Sequence, residues 1–144
     1  MTGIMKRVKP CTTFTLHVPR NHKLMVYIWP TLKDMRSEIR KLPGTRVRAI
    51  HTAVGFFYGP KMKVRKTRKR NVVANKIVGQ IHLVKDRFHS EVVSHELQHF
   101  LSWWSVVKEY DLIGRDWERV STLAGKLTSK FWQLFYEWEE QIDE

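Results

Sequence analysis

Ser94-His95-Glu96-Leu97-Gln98-His99 places two histidines four positions apart around a glutamate. On an α-helix that spacing puts both imidazoles on one face, within reach of one ion. The glutamate between them points close to the same spot. Two neutral nitrogen ligands beside a carboxylate are the minimum for a hydrolytic zinc site. There the metal lowers the pKa of a coordinated water from about 16 to about 7, and the carboxylate takes its proton. His95 and His99 are therefore candidate ligands of one Zn2+ per chain, and Glu96 is the candidate general base.

The surrounding stretch reads as a helix. Ser90 is a candidate N-cap, and Glu91 falls in the first turn, where the helix dipole favours a carboxylate. Val93, Leu97, Phe100, Leu101, Trp104 and Val107 recur at three- and four-residue steps. They form an apolar stripe beside the His95/His99 face.

Catalytic zinc calls for a third protein ligand. Glu109, Asp111, Asp116, Glu118 and the carboxylates of the C-terminal tail all follow His99, and Glu118 is favoured. From Val120 onward the chain repeats a helical period through Leu123, Leu127, Phe131, Leu134, Phe135 and Trp138. Glu118 lies on another side of that helix, in line with Ser121, Thr122, Gly125 and Ser129. A glycine inside a helix costs about 1 kcal/mol against alanine. Close approach of two helices, carrying Glu118 over the HELQH helix, is the expected reason for Gly125.

HELQH, with Glu118 opening a second long helix downstream, resembles the zincins that use a glutamate ligand, the gluzincins. The small size, the strand Gln80-Ile81-His82-Leu83-Val84 and the Glu118-Arg119…Gly125 helix resemble the short metallopeptidases encoded by phages and mobile elements. The resemblance covers about Ile77 to Phe135. It implies that His95, His99 and Glu118 bind zinc, that Glu96 is the general base, and that the substrate is a peptide or protein. It also implies that the strand before the zinc helix lies along the cleft, with Gly79, Gln80 and Ile81 at the substrate edge. His82 and His89 lie near the site in sequence. His82, Tyr110 and Arg119 are candidate oxyanion stabilisers. No glycine and third histidine follow His99 at the metzincin spacing.

A length of 144 residues, 42% hydrophobic with six Trp, suits one folded domain, 1–144. No run of eighteen apolar residues occurs, so no membrane span is expected. Met1 to Val8 lacks the apolar run of a signal peptide. Cys11 is the only cysteine, which excludes an internal disulfide. The expected compartment is the cytoplasm, that of the host if the chain is phage-encoded.

Charge divides the chain. Residues 1–90 hold 21 Lys and Arg against 3 Asp and Glu, whereas 91–144 hold 5 against 11. Lys61, Lys63, Arg65, Lys66, Arg68, Lys69 and Arg70 crowd into ten positions. They read as a basic loop or β-arm over 60–71 that can clamp a polyanion. This supports an alternative: a nucleic-acid-binding or host-protein-binding accessory protein with a structural or vestigial zinc site.

Phe14–Val18 and Leu24–Trp29 alternate as strands and suit a hairpin. Thr31 can cap a short helix through about Leu42, and Val47–Tyr58 and Ile77–Val84 read as further strands. His17, His22 and His51 have no partner spacing. The acidic tail Glu137–Glu144 is expected to fray. The expected fold is α+β: a small, mostly antiparallel sheet packed on the HExxH helix and a long C-terminal helix, a minimal zincin-like arrangement. Oligomeric state is not legible.

Overall fold

The structure is a computed structural model describing residues 8–44 and 54–143. Thr12–Val18 (β1) and His22–Trp29 (β2) form the expected antiparallel hairpin, with Thr12 opposite Ile28 and Val18 opposite His22. Arg20 and Asn21 make its turn at positive φ, 73° and 65°.

Gly55–Tyr58 (β3), Val64–Lys66 (β4), Asn71–Val73 (β5) and Ile77–Val84 (β6) follow. The strand expected over Val47–Tyr58 is described only from Gly55. Its earlier part, with His51, lies outside the described residues. The main sheet has the order β1-β2-β6-β3, and among the described residues β4 pairs only with β5. β2 and β6 run parallel, while β3 is antiparallel to β6. The sheet is therefore mixed, with its one parallel pairing at the centre. β6 is buried along most of its length, as a strand covered on both faces must be.

Alternation along the strands divides the core into two faces. On one face, Thr31 Oγ1 accepts the Asp34 N–H at 3.1 Å and starts Leu32–Ile39 (α1). This helix ends three residues before the expected Leu42, with Arg40 as its C-cap. Its Met35 and Ile39 pack on Trp29 and Val84. On the other face lie Ser90–Lys108 (α2) and Trp117–Ile142 (α3). Phe100, Leu127 and Phe131 are fully buried there with Leu16, Leu24, Val26 and Leu83. The result is α+β: one helix, a four-stranded sheet, then two helices.

One expected cap and the expected tail need correction. His89, not Ser90, is the N-cap of α2, and Ser90 is the first helical residue. The acidic tail stays helical to Ile142. Trp138 anchors it, its ring edge-on to Phe14 at 6.5 Å. Among the described residues, no helix is long and apolar enough to cross a membrane.

Candidate metal centre

His95 and His99 lie one turn apart on the exposed side of α2. Their Nε2 atoms are 3.0 Å apart and their rings nearly perpendicular, at 88°. Two nitrogens bound to one tetrahedral zinc, each about 2.0–2.1 Å from it, stand roughly 3.3 Å from each other. The pair already approximates two corners of such a site. The His99 pKa is lowered, by burial first and by the charge of His95 second, which favours the neutral ring that metals bind.

Glu96, between the two histidines on α2, is buried and only 5% exposed. It lies under β3. A Cβ placed on Gly55 would stand 2.9 Å from Val92 Cγ1 and 3.3 Å from Glu96 Oε1. The strand comes this close to α2 because residue 55 is glycine. Burial pushes the Glu96 carboxyl up to about 7. A group titrating near neutrality can both take and return a proton at pH 7. Gly55 was missed in the sequence, although a glycine inside the apolar run Val54-Gly55-Phe56-Phe57 is the usual sign of close backbone approach.

Glu118 does not join the histidines. Among the described residues, no third His, Cys, Asp or Glu completes a metal-holding group. Glu118 sits in the first turn of α3 and lines a hollow of about 550 Å³ with His17, Val18 and Asn21. The expected cause is missing, because among the described residues no neighbouring element comes within 4 Å of a Cβ placed on Gly125. Gly125 marks no tight helix crossing. The rival carboxylates have local partners. Asp116 Oδ2 accepts the Asp111 N–H at 2.8 Å, Asp111 Oδ1 accepts the Gly114 N–H at 3.0 Å, and Glu109 meets Lys66 at 3.3 Å.

Gly79, Gln80 and Ile81 are not at an edge. They lie inside the sheet, with Gly79 opposite Leu24, Gln80 opposite Tyr58, and Ile81 between Val26 and Phe57. A Cβ on Gly79 would meet Phe57 at 2.9 Å and Leu24 at 3.0 Å, so its bareness serves packing. The strand at the end of the described sheet, on the side of α2, is β3.

His82 is buried on the α1 face of the sheet. Its Nδ1 accepts the Trp29 Nε1–H at 3.0 Å, which leaves Nε2–H to donate to Gln80 Oε1 at 3.0 Å. Its ring stacks on Tyr27 at 5.0 Å. Burial lowers its pKa to about 4. With the sheet between it and α2, His82 is a structural histidine and not an oxyanion donor.

Tyr110 and Arg119 face each other, the guanidinium 5.4 Å over the ring. Both line a hollow with Lys108 at the far end of α2. At about 1.5 Å per residue, Lys108 is roughly 14 Å along the axis from His99. These side chains do not face the histidine pair.

Of the basic stretch, Lys61 and Lys63 are tied to Asn75, whose side chain bonds the Lys61 carbonyl at 3.2 Å and the Lys63 N–H at 2.8 Å. Arg65 and Lys66 pair with Val72 and Asn71 in the β4–β5 hairpin, and Arg68, Lys69 and Arg70 stand at its tip. The hairpin is latched to α2: Asn71 Nδ2 donates to the Val107 carbonyl at 3.0 Å, and Lys108 Nζ donates to the Asn71 carbonyl at 2.7 Å.

Comparisons with protein-family models, curated proteins and solved structures return no match.

Proposed function

We propose that the chain is a zinc-dependent metallopeptidase acting on a peptide or protein, with its site at the junction of α2 and β3. One observation carries this reading. Two imidazole nitrogens converge to 3.0 Å on a helix whose buried glutamate lies against an edge strand. The HELQH resemblance to the short phage and mobile-element metallopeptidases supports it, and a minimal zincin-like packing of the helix is part of the proposal.

His95 and His99 are the two zinc-holding residues in this proposal, with no third protein ligand among the described residues. When bound, zinc supplies a Lewis acid that polarises the scissile carbonyl and acidifies water. Glu96 accepts the proton of the attacking water and passes it to the leaving amine. Gly55–Tyr58 offers the outer edge of the described sheet to an extended peptide, which main-chain hydrogen bonds would hold beside α2. The substrate edge assigned to Gly79–Ile81 passes to this strand.

The test is cleavage of a proteome-derived peptide pool, with and without chelator, beside Glu96→Gln. Cleavage lost in both arms supports the reading. Cleavage surviving either arm removes the zincin mechanism. Zinc bound at one per chain without any cleavage favours the structural-zinc alternative.

A further inference from the structure

Three regions distant in sequence converge on one basic hollow of about 450 Å³. Arg20 comes from the β1–β2 turn, and Arg68, Lys69 and Arg70 from the tip of the β4–β5 hairpin. Lys108 ends α2, and Arg115 and Arg119 flank the start of α3. The two acids of the hollow are already engaged. Glu109 meets Lys66 at 3.3 Å, and Asp116 meets Arg115 at 3.6 Å and Arg119 at 3.5 Å. Among the described residues, no carboxylate pairs with Arg20, Arg68, Lys69 or Arg70.

Like charges gathered in a concavity repel one another, and an anion bound among them removes that cost. The walls are fixed by the Asn71 bonds to Val107 and Lys108 and by the turn that holds Arg20 at a φ of 73°. Lys108 is 8% exposed, and its pKa is lowered by burial first, then by Arg20, Arg70 and Arg119. These groups therefore sense one another across the hollow.

The basic surface does not stop there. A second hollow, of about 500 Å³, shares Thr67, Arg68, Lys69 and Arg70 with the first. A compact anion would occupy one hollow. A polymer bearing a charge every few ångströms can run from one to the other over the hairpin tip. Most of the cations are arginines, whose planar fork matches phosphate oxygens.

We infer that this surface docks a nucleic-acid strand by its backbone, with phosphates seated among Arg20, Lys108 and Arg119 and continuing over Arg68–Arg70. Contacts of this kind position a strand without reading its bases, so binding is indifferent to sequence. The inference is independent of the histidine pair.

The experiment is an anisotropy titration of labelled single-stranded DNA, duplex DNA and single-stranded RNA with the full chain, across a salt series. Arg68→Ala/Arg115→Ala removes two charges from the hollow. Lys33→Ala/Arg40→Ala removes two exposed charges from α1 and its C-cap, on the opposite face of the sheet. Circular dichroism confirms that both variants are folded. The hollow variant is expected to bind at least about 10-fold more weakly, with a log–log salt slope shallower by about 2. The α1 variant is expected to stay within about 3-fold, with an unchanged slope. Equal losses in the two variants would make the binding a property of net charge and overturn the site. The inference also fails if no nucleic acid binds at micromolar protein in low salt. Polyglutamate binding as tightly as the oligonucleotides would move the assignment to an acidic protein.

Discussion

A Cβ on Gly55 would lie 2.9 Å from Val92 Cγ1, closer than carbon atoms pack, so strand and helix meet at the candidate site by virtue of a missing methyl group. Val92 is β-branched on a helix and has little rotamer freedom with which to yield. Gly55→Ala is expected to lower stability by about 1–3 kcal/mol, as overpacking of a tight contact does. Urea denaturation measures this. A change under about 0.5 kcal/mol would mean that β3 is not seated on α2 as described.

Glu96→Gln keeps the volume of the side chain and removes its ability to take a proton. Zinc content is expected to match that of the parent chain, while peptide cleavage falls by at least about 100-fold, the scale of a lost general base. Parallel metal analysis and cleavage assays report both quantities on one preparation. Retained cleavage would exclude Glu96 as the base.

His99→Ala removes one of two converged nitrogens and is expected to weaken zinc binding by at least about 100-fold, comparable to the largest losses reported on removing mere supporting contacts. Glu118→Ala is expected to change it by less than about 3-fold, since Glu118 faces the β1–β2 hairpin and does not join the histidines. Competition against a zinc-chelating dye measures both. A large loss in Glu118→Ala would return that residue to the metal.

His82 makes a contribution to the pH dependence of stability of definite sign, opposite to that of the buried Glu96, whose raised pKa adds stability as pH falls from about 7 to 4.5. Its pKa is about 4 in the folded chain against the ordinary 6.5, because burial disfavours the charged ring. Above pH 6.5 the ring is neutral in both states and its contribution to stability is full. As pH falls from 6.5 towards 4, the unfolded chain binds a proton that the folded chain refuses. The loss is about 3 kcal/mol across that window. His82→Phe should remove this acid-side loss, so that stability at pH 4.5 relative to pH 7.5 rises by about 3 kcal/mol against the parent, while stability at pH 8 falls because the Trp29 Nε1–H loses its acceptor. Urea midpoints at pH 7.5 and 4.5 decide it. An unaltered pH dependence in the variant would mean that His82 is not the titrating group.

The parts legible in the sequence were those set by local periodicity. The β1–β2 hairpin, the strand β6 and both long helices follow from alternation or from three- and four-residue spacing, and His95 and His99 meet because a helix turn brings them together. Strand order is not local. Nothing in Gly79-Gln80-Ile81 alone says which strand lies on either side. Yet β6 is apolar at nearly every position, the pattern of a central strand, and this should have outweighed the likeness that put it at an edge. Gly125 misled for a related reason: a bare position is equally compatible with a close neighbour and with open space. The basic stretch was legible as a loop or β-arm, and the structure makes it the β4–β5 hairpin, but its latch through Asn71 and Lys108 was not legible, since it depends on a helix end 37 positions away.

The central pairing of the sheet joins segments that are far apart along the chain, with Trp29 and His82 separated by 53 positions. Loop-closure entropy must be met before that pairing returns any free energy, which places the slow step of folding at the β2–β6 seam. As the chain emerges from a ribosome, the β1–β2 hairpin is complete long before its partner strand exists. During that interval the inner edge of β2 presents unpaired main-chain groups beside Leu24, Val26 and Ile28. The nascent protein therefore passes through an aggregation-prone stage whose length is set by the rate of translation.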